Sequence, residues 1–439
     1  MVERDPRISI IIPTKDRADY LYHTLRTCSV QDYDRLEIIV SDDGSTDNTR
    51  DVVEDAARKD PRIRYATPGL GAGMRDNFEF ALNQVRPGFV IALGGDDGVL
   101  PYGITRLRDL LVETGMELVA WPTPIFSYAK ARTETGQLVL SRHQEPRLVD
   151  SSVFLARQVS TLNYISDVES PMFYVKGVAS TRLIEQVRSR SPEGRFYTCP
   201  TPDGYSGIVL AGEVERFAFS GDPFTIYGTS PTSQGLGYLA NDEQAKKQSE
   251  DFFRTVSSVP MHPELASQPY SPLITVMTVD YLLTARDLPG WPGRFPAISF
   301  RKVLENSLGE LAHGLYGEGR IIRELQILDR IAAHHDLQSF FRRRVKASHR
   351  FAAKSPFEGD GISPGKIFID CSRYGIHNIF DAAFVAYYTG QFANKVTLRS
   401  LGNTLARSVA YRLRSLKKGG LFPHVTEWAD NGTNSDTTE

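Results

Sequence analysis

Short runs of β-branched residues alternate with helix-like segments near the start of the chain. Residues 8–12 and 36–40 are almost wholly apolar, as in strands that are buried on both faces of a sheet. Apolar residues at helical spacing follow the first run, for example Leu21, Leu25 and Cys28. The strand and helix pattern occurs four times in succession, which predicts right-handed βαβ crossovers and a mostly parallel sheet.

The composition excludes several classes of protein. A formal net charge of −2 argues against a uniformly basic nucleic-acid-binding protein. The longest apolar stretches, such as residues 384–388, are much shorter than a membrane-spanning helix, and the first residues carry no apolar signal core. Three scattered cysteines, Cys28, Cys199 and Cys371, lack metal-binding spacing. We therefore expect a cytoplasmic protein with reduced, buried thiols.

Polar turns follow three of the predicted strands. Residues 14–17 follow the first strand, Asp42 and Asp43 follow the second, and Asp96 and Asp97 lie in a glycine-flanked turn after the fourth. Ligands of parallel sheets bind beyond the carboxyl ends of the strands, so these turns should share one crevice. Carboxylates there could hold a divalent cation or accept hydrogen bonds from a ribose or base. Each turn alone also fits a solvated surface turn or a helix cap.

The order of these motifs resembles the inverting glycosyltransferases of family 2. Residues 7 to about 230 carry the resemblance, through the segments 9–14, 37–47 and 93–101 together with Gln31 and Asn77. The resemblance implies the GT-A fold. That fold is an α/β, Rossmann-like architecture with a mostly parallel central sheet and helices on both faces.

The resemblance also implies roles for individual residues. Nucleotide-sugar binding would involve Pro13, Thr14, Asp16, Arg17, Asp42, Asp43, Arg75, Asn77, Gly95, Asp96 and Asp97. Asp96 would be the metal ligand of the family's D-x-D motif, for Mg²⁺ or Mn²⁺, but Gly94 stands where that motif has its first acid. The family places an arginine directly before the asparagine, whereas here Arg75 and Asn77 are separated by one residue.

An inverting transfer needs a general base for the acceptor hydroxyl. The family supplies it from an acidic motif well beyond D-x-D, and Asp203, before a helix-like segment, occupies the matching place. Asp203 could instead be a plain helix cap. Asp167 and Glu169 are the alternative bases.

The rest of the chain lacks readable motifs. We expect a GT-A domain over residues 1–235, a helical domain over 236–425 and a disordered tail over 426–439. Residues 228–235 are a candidate lid over the donor. Residues 340–420 carry 15 Lys or Arg against 4 Asp or Glu, with an amphipathic helical pattern near their end. This segment suggests peripheral contact with an anionic membrane, although a solvated basic surface explains it equally simply.

These observations together predict a metal-dependent inverting glycosyltransferase in surface polysaccharide assembly. Its donor would be a nucleoside diphosphate sugar, with UDP favoured, and its acceptor a glycan or lipid-linked glycan. It would work in the cytoplasm or at the inner face of the cell membrane and bind no nucleic acid. Two alternatives stay open: a sugar-nucleotide nucleotidyltransferase, and a non-catalytic binding or scaffold protein that retains a GT-A domain.

Overall fold

The computed structural model describes residues 3–141, 143–233, 253–254, 256, 258–313, 316–348, 357–363 and 365–390. The first part alternates strands and helices as the sequence predicts. Its elements are β1 (Ile8–Thr14), α1 (Ala18–Ser29), β2 (Leu36–Asp42), α2 (Thr49–Lys59), β3 (Ile63–Ala66), α3 (Gly73–Asn83) and β4 (Phe89–Ala92).

The following elements extend this unit. They are β5 (Gly98–Val99), α4 (Gly103–Thr114), β6 (Leu118–Ala120), β7 (Ile125–Ser127), β8 (Gln137–Ser141), β9 (Arg147–Asp150), α5 (Ser151–Thr161), β10 (Gly177–Ser180), α6 (Thr181–Arg190), α7 (Asp203–Gly212), β11 (Arg216–Phe219) and β12 (Thr225–Thr229). Strand β10 leads directly into α6, whose N-cap Ser180 accepts a hydrogen bond from the Leu183 N–H.

The central sheet has eight strands in the order β3-β2-β1-β4-β10-β6-β11-β9. Strands β3, β2, β1 and β4 are parallel to their neighbours, whereas β10 is antiparallel to both β4 and β6. The register pairs Thr14 with Asp42, so these two residues end adjacent strands side by side. The parallel half of the sheet therefore brings the polar turns to one edge, and the α/β fold class is confirmed.

Helices cover both faces of this sheet. All seven residues of β1 are buried, and alternate side chains of a strand point to opposite faces. Ile11 packs in a core with residues of α3, α5 and α7, whereas Ile10 and Ile12 pack with residues of α1, α2 and α4. Two covered faces explain the nearly continuous apolar runs of β1 and β2.

The later part of the chain is mainly helical. It contains α8 (Ile274–Arg286), α9 (Phe300–His313), α10 (Glu318–His334), α11 (Gln338–Ser348), β13 (Gly361–Ser363), β14 (Lys366–Asp370) and α12 (Ile379–Gly390). Helix α8 is buried along most of its length, because Tyr281 and Leu282 pack in the core that includes α7 while Val279 and Leu283 pack with α9 and α10. Within the described residues, no helix is both long and apolar enough to cross a bilayer.

A second sheet joins the two parts of the chain. Its order is β13-β14-β8-β7-β12-β5, and β14 pairs antiparallel with β8. A mainly helical region is expected after residue 236, and the β13–β14 pair is not predicted. The expected boundary at residues 235–236 and the tail over 426–439 lie outside the described residues. Cys28, Cys199 and Cys371 are free and buried, as predicted.

Candidate active site

Asp97 points into the protein from the turn that follows β4. Its side chain is fully buried and accepts hydrogen bonds from the backbone N–H groups of Gly94 (2.6 Å) and Gly228 (2.7 Å). The Tyr174 hydroxyl is a further hydrogen-bond partner. Burial, together with the neighbouring charge of Asp96, raises the pKa of Asp97 to about 8 despite these hydrogen bonds. Asp97 therefore holds the turn onto β12.

Asp96 offers one carboxylate oxygen to the crevice. Its Oδ2 accepts hydrogen bonds from Arg17 Nη1 (3.1 Å), Ser230 Oγ (2.7 Å) and Ser233 Oγ (2.6 Å). Oδ1 accepts no hydrogen bond from any residue that the structure describes. An Mg²⁺ ion commonly takes only one or two protein carboxylates when substrate phosphates supply further oxygens. Asp96 therefore fits a cation that a diphosphate helps to hold.

The described ranges contain no group of three or more His, Cys, Asp and Glu side chains arranged to hold a metal by themselves. A site completed by substrate oxygens needs no such group. Asp96 could therefore hold a cation only together with ligand oxygens, because Gly94 has no side chain to contribute.

The turn after β1 lies directly beside Asp96. The Thr14 hydroxyl is buried and has no hydrogen-bond partner among the described residues. A Cβ atom on Gly95 would lie 2.9 Å from that hydroxyl and 3.3 Å from Arg17 Cδ, so only glycine leaves this space open. Arg17 also donates from Nη2 to the Thr232 carbonyl (2.6 Å). A buried hydroxyl without a partner is the type of group that a polar ligand satisfies.

Two other predicted residues of the first turn have structural contacts. Pro13 lies inside β1 opposite Ser41 of β2. Asp16 adopts a left-handed backbone conformation (φ 49°) and accepts hydrogen bonds from the Thr46 N–H (2.7 Å) and hydroxyl (3.1 Å). Asp16 thus ties the turn after β1 to the turn after β2.

Asp42 and Asp43 are buried and already hydrogen-bonded. Asp42 accepts from the Ser45 N–H (2.9 Å) and from the Tyr65 hydroxyl (2.9 Å). Asp43 accepts from the backbone N–H groups of Ala72 (2.7 Å) and Gly73 (3.0 Å), where α3 begins. A carboxylate at a helix amino terminus stabilises that helix. Both acids therefore shape the crevice, and direct contact of either with a ribose or base stays a prediction.

The predicted residues on α3 also have partners within the protein. Asn77 is buried and exchanges hydrogen bonds with Ser41, accepting from its hydroxyl (2.5 Å) and donating to its carbonyl (3.0 Å). Arg75 donates to Asp76 (3.2 Å), which also pairs with Arg195. The structure thus places Asn77 between α3 and β2 and Arg75 near the segment that leads to α7.

Asp203 is the first residue of α7, and its side chain is only partly exposed. Pro202 occupies the N-cap position of α7, and the Asp203 carboxylate accepts a hydrogen bond from its own backbone N–H, so Asp203 is not the capping residue. Burial raises the pKa of Asp203 to about 6. Burial raises the pKa values of Tyr174 and Tyr227 well above that of a free tyrosine, and the charges of Asp97, Asp203 and Asp96 raise them further.

The alternative bases are engaged in ion pairs. Arg157 Nε and Gln158 Nε2 both donate to Asp167 Oδ2 at 2.7 Å. Glu169 accepts from Arg147 Nε at 2.5 Å and also pairs with Arg157. Both carboxylates are thus already engaged by guanidinium groups, and these contacts favour Asp203 over either alternative.

The sequence analysis missed several residues of this region. Tyr174 and Tyr227 form an edge-to-face pair with ring centroids 6.5 Å apart. Tyr281 of α8 contacts the Thr201 hydroxyl through its own hydroxyl (2.5 Å), so the later helical part borders the site. No local pattern marks these tyrosines. Ser230 lies within the candidate lid at 228–235, of which residues 234–235 are outside the described residues.

Gly228 provides a test of how β12 meets the acidic turn. A Cβ atom at this position would lie 1.7 Å from the Asp96 carbonyl oxygen, a backbone atom that cannot rotate away. We expect Gly228→Ala to lower the free energy of unfolding by about 1–3 kcal/mol, as overpacked substitutions usually do. Urea denaturation measures this change. Gly319→Ala is the control, since its Cβ would meet nothing within 4 Å. Equal stability of the two variants would contradict the contact.

Comparison with known proteins gives the family of the first part of the chain. Residues 9–161 match the family described as glycosyl transferase family 2. A GalNAc(5)-diNAcBac-PP-undecaprenol beta-1,3-glucosyltransferase of Campylobacter jejuni is 36% identical over 103 residues, which are 23% of this chain and 33% of the relative. The putative teichuronic acid biosynthesis glycosyltransferase TuaG of Bacillus subtilis is 32% identical over 99 residues, 22% of this chain and 38% of TuaG.

Solved structures show a more distant likeness. S. aureus TarS, residues 1–349 in complex with UDP-GlcNAc, aligns over 80% of this chain and 99% of its own, with 14% identity and a TM-score of 0.41. A likeness of this degree supports no argument about the site. The sequence matches span about a third of the two curated relatives' lengths. Residues 9–161 of the chain are therefore similar to glycosyl transferase family 2.

Proposed function

We propose that the protein is an inverting, metal-dependent glycosyltransferase that moves a sugar from a nucleoside diphosphate to a hydroxyl group of a glycan. The observation that carries this proposal is two acidic positions: Asp96, whose Oδ2 accepts from Arg17 Nη1 (3.1 Å) near the unpartnered Thr14 hydroxyl, and Asp203 at the start of α7. One acidic position suits a diphosphate-bound cation, and the other suits a proton acceptor.

The donor would lie at the carboxyl end of the parallel strands. Thr14, with its unpartnered hydroxyl, and Gly95, which keeps that hydroxyl accessible, would line the diphosphate. Arg17 would offset negative charge there, because its guanidinium already faces Asp96. Asp96 would hold Mg²⁺ or Mn²⁺ through Oδ1, and the cation would offset the charge that develops on the departing diphosphate. UDP is our favoured nucleotide.

The reaction uses Asp203 as the general base. The acceptor oxygen bonds to the anomeric carbon, while the bond between that carbon and the phosphate oxygen breaks and the nucleoside diphosphate leaves with the electron pair. Asp203 takes the proton of the acceptor hydroxyl. Its raised pKa of about 6 makes it a better base than a surface aspartate and still leaves it ionised at neutral pH. Attack from the side opposite the diphosphate inverts the anomeric configuration.

The acceptor and location are narrower parts of the same proposal. The Campylobacter relative is named for an undecaprenol-linked acceptor, which supports a lipid-linked glycan here. We infer surface polysaccharide assembly at the inner face of the cell membrane, with peripheral contact through residues 340–420. The part of that segment beyond residue 390 lies outside the described residues.

A donor panel tests the proposal. The full chain, supplied with Mn²⁺ or Mg²⁺ and UDP-sugars, should release UDP slowly by hydrolysis and faster with glycan acceptors, and a chelator should abolish release. We expect Asp96→Asn to reduce release about 100-fold or more, because the amide removes the charged metal ligand. Asp109→Asn on α4, whose side chain is 64% exposed, is the matched control.

The same panel separates the alternatives. A nucleotidyltransferase would instead consume a nucleoside triphosphate and sugar phosphate and release pyrophosphate. A scaffold protein would bind donor without releasing UDP. Full UDP release by Asp96→Asn would contradict the metal assignment.

A further inference from the structure

An exposed aromatic face lies where α1, the start of α4 and α12 meet. Tyr22, Tyr102 and Tyr388 are 51%, 56% and 51% exposed. Phe380, Phe384 and Tyr387 of α12 lie between them and are partly buried. We call these six residues the aromatic face. Scattered exposed apolar residues are ordinary on protein surfaces, but a contiguous group indicates an interaction site.

The contacts between these residues are continuous. The Phe380 and Phe384 rings are 4.9 Å apart, and the Phe384 and Tyr388 rings are 6.4 Å apart. The Tyr387 ring lies 5.1 Å from that of Tyr388 and 5.8 Å from that of Tyr102. One surface therefore extends from α12 to the residue that precedes α4.

The positively charged side chain of Arg26, on α1, lies beside the aromatic face. The Arg26 guanidinium carbon lies 3.9 Å from the Phe380 ring centroid and 5.8 Å from the Tyr22 ring centroid. The described chain ends at residue 390, directly after this face, and residues 391–420 contain seven Lys or Arg and no Asp or Glu. The face and the segment that follows it thus combine aromatic rings with positive charge.

We propose that the aromatic face docks on an anionic phospholipid surface. Tyrosine suits the boundary of a bilayer, because its ring is apolar and its hydroxyl remains hydrated. Lysine and arginine next to such a face are attracted to anionic headgroups. A protein partner would also bury aromatic rings, but seven cations without an acid immediately beyond the face favour a uniformly negative partner.

The position of the face also fits a lipid-linked acceptor, and in this respect the inference rests on the proposed function. Helix α1 contains Tyr22, which belongs to the aromatic face, and Arg26, which lies beside it. From the same helix, the Thr24 hydroxyl hydrogen-bonds to the carbonyls of Gly95 (3.0 Å) and Asp97 (2.6 Å). A single helix therefore connects the aromatic face to the acidic turn, so docking would hold the crevice close to the lipid.

Vesicle co-sedimentation of the full chain tests this proposal. We expect binding to phosphatidylglycerol-containing vesicles that weakens with salt, and little binding to pure phosphatidylcholine. The double variant Tyr22→Ser/Tyr388→Ser should bind about tenfold more weakly, because it removes two interfacial rings. Leu148→Ser/Ile165→Ser is the matched control, since these side chains are 51% and 52% exposed elsewhere. The control should bind like the unaltered protein.

Three results would overturn the proposal. The first is equal vesicle binding by the double variant and the unaltered protein. The second is equal binding to both vesicle types without salt dependence. The third is a dimer, detected by light scattering, that the double variant abolishes while its vesicle binding stays unchanged. UDP release measured without vesicles should be the same in the double variant and the unaltered protein. If vesicles bind as expected but no UDP is released from any donor, the docking surface stands and the proposed function fails.

Discussion

Replacement of the proposed base, Asp203→Asn, is expected to lower kcat about 100- to 10,000-fold with little change in donor affinity. The amide keeps the size of the side chain but cannot accept the acceptor's proton, and general bases contribute rate factors of this order. Stability should change little, because the N-cap position of α7 belongs to Pro202 and not to Asp203. UDP release at saturating donor and acceptor measures kcat, and titration with UDP measures the affinity of the donor site.

The pH profile provides the control for this prediction. Burial raises the pKa of Asp203 to about 6, so kcat/KM should fall as pH drops below about 6, where the base becomes protonated, and level off above it. Asp280→Asn is the matched control, because Asp280 is also buried with a raised pKa, about 7, but accepts a hydrogen bond from the His262 N–H. The Asp280→Asn variant should keep the fall of kcat/KM at low pH. If the residual activity of Asp203→Asn shows the same fall, the general base is another residue.

Restoring the family's missing acid, Gly94→Asp, should harm the protein and not improve it. A Cβ at residue 94 would lie 2.9 Å from the Tyr174 hydroxyl and 3.0 Å from Asp97 Oδ2. We expect Gly94→Ala to lower the free energy of unfolding by about 1 kcal/mol through crowding. Gly94→Asp should lower it by about 3 kcal/mol, because a third carboxylate would join Asp96 and Asp97. Urea denaturation measures both values.

The alanine variant separates crowding from charge. Activity with Mn²⁺ should be reduced in Gly94→Asp and largely kept in Gly94→Ala. The explanation would be wrong if Gly94→Asp were as stable as the unaltered protein and bound Mn²⁺ more tightly. In that case residue 94 would be an unused ligand position. We expect instead that the Tyr174 hydroxyl and the Asp97 carboxylate occupy the space that the missing acid would need.

Much of the site could be predicted because it depends on strand order. Thr14, Asp42 and Asp96 follow strands whose parallel pairing follows from the alternation of strands and helices. Their individual contacts could not be predicted in the same way. Asp43 meets the amino terminus of α3 and Asn77 meets Ser41 because of how α3 packs on the sheet, and that packing joins residues far apart in sequence.

The sequence by itself determined the parallel α/β sheet, the edge at which the acidic turns meet and the similarity of residues 9–161 to glycosyl transferase family 2. These features depend on local periodicity and on the positions of turns, which a sequence displays directly. Only the tertiary structure decided that Asp97 faces inward, that Gly94 leaves space for Tyr174, and that Tyr281 of a later helix borders Asp203. Those arrangements follow from side-chain packing between distant elements, for which no local pattern exists.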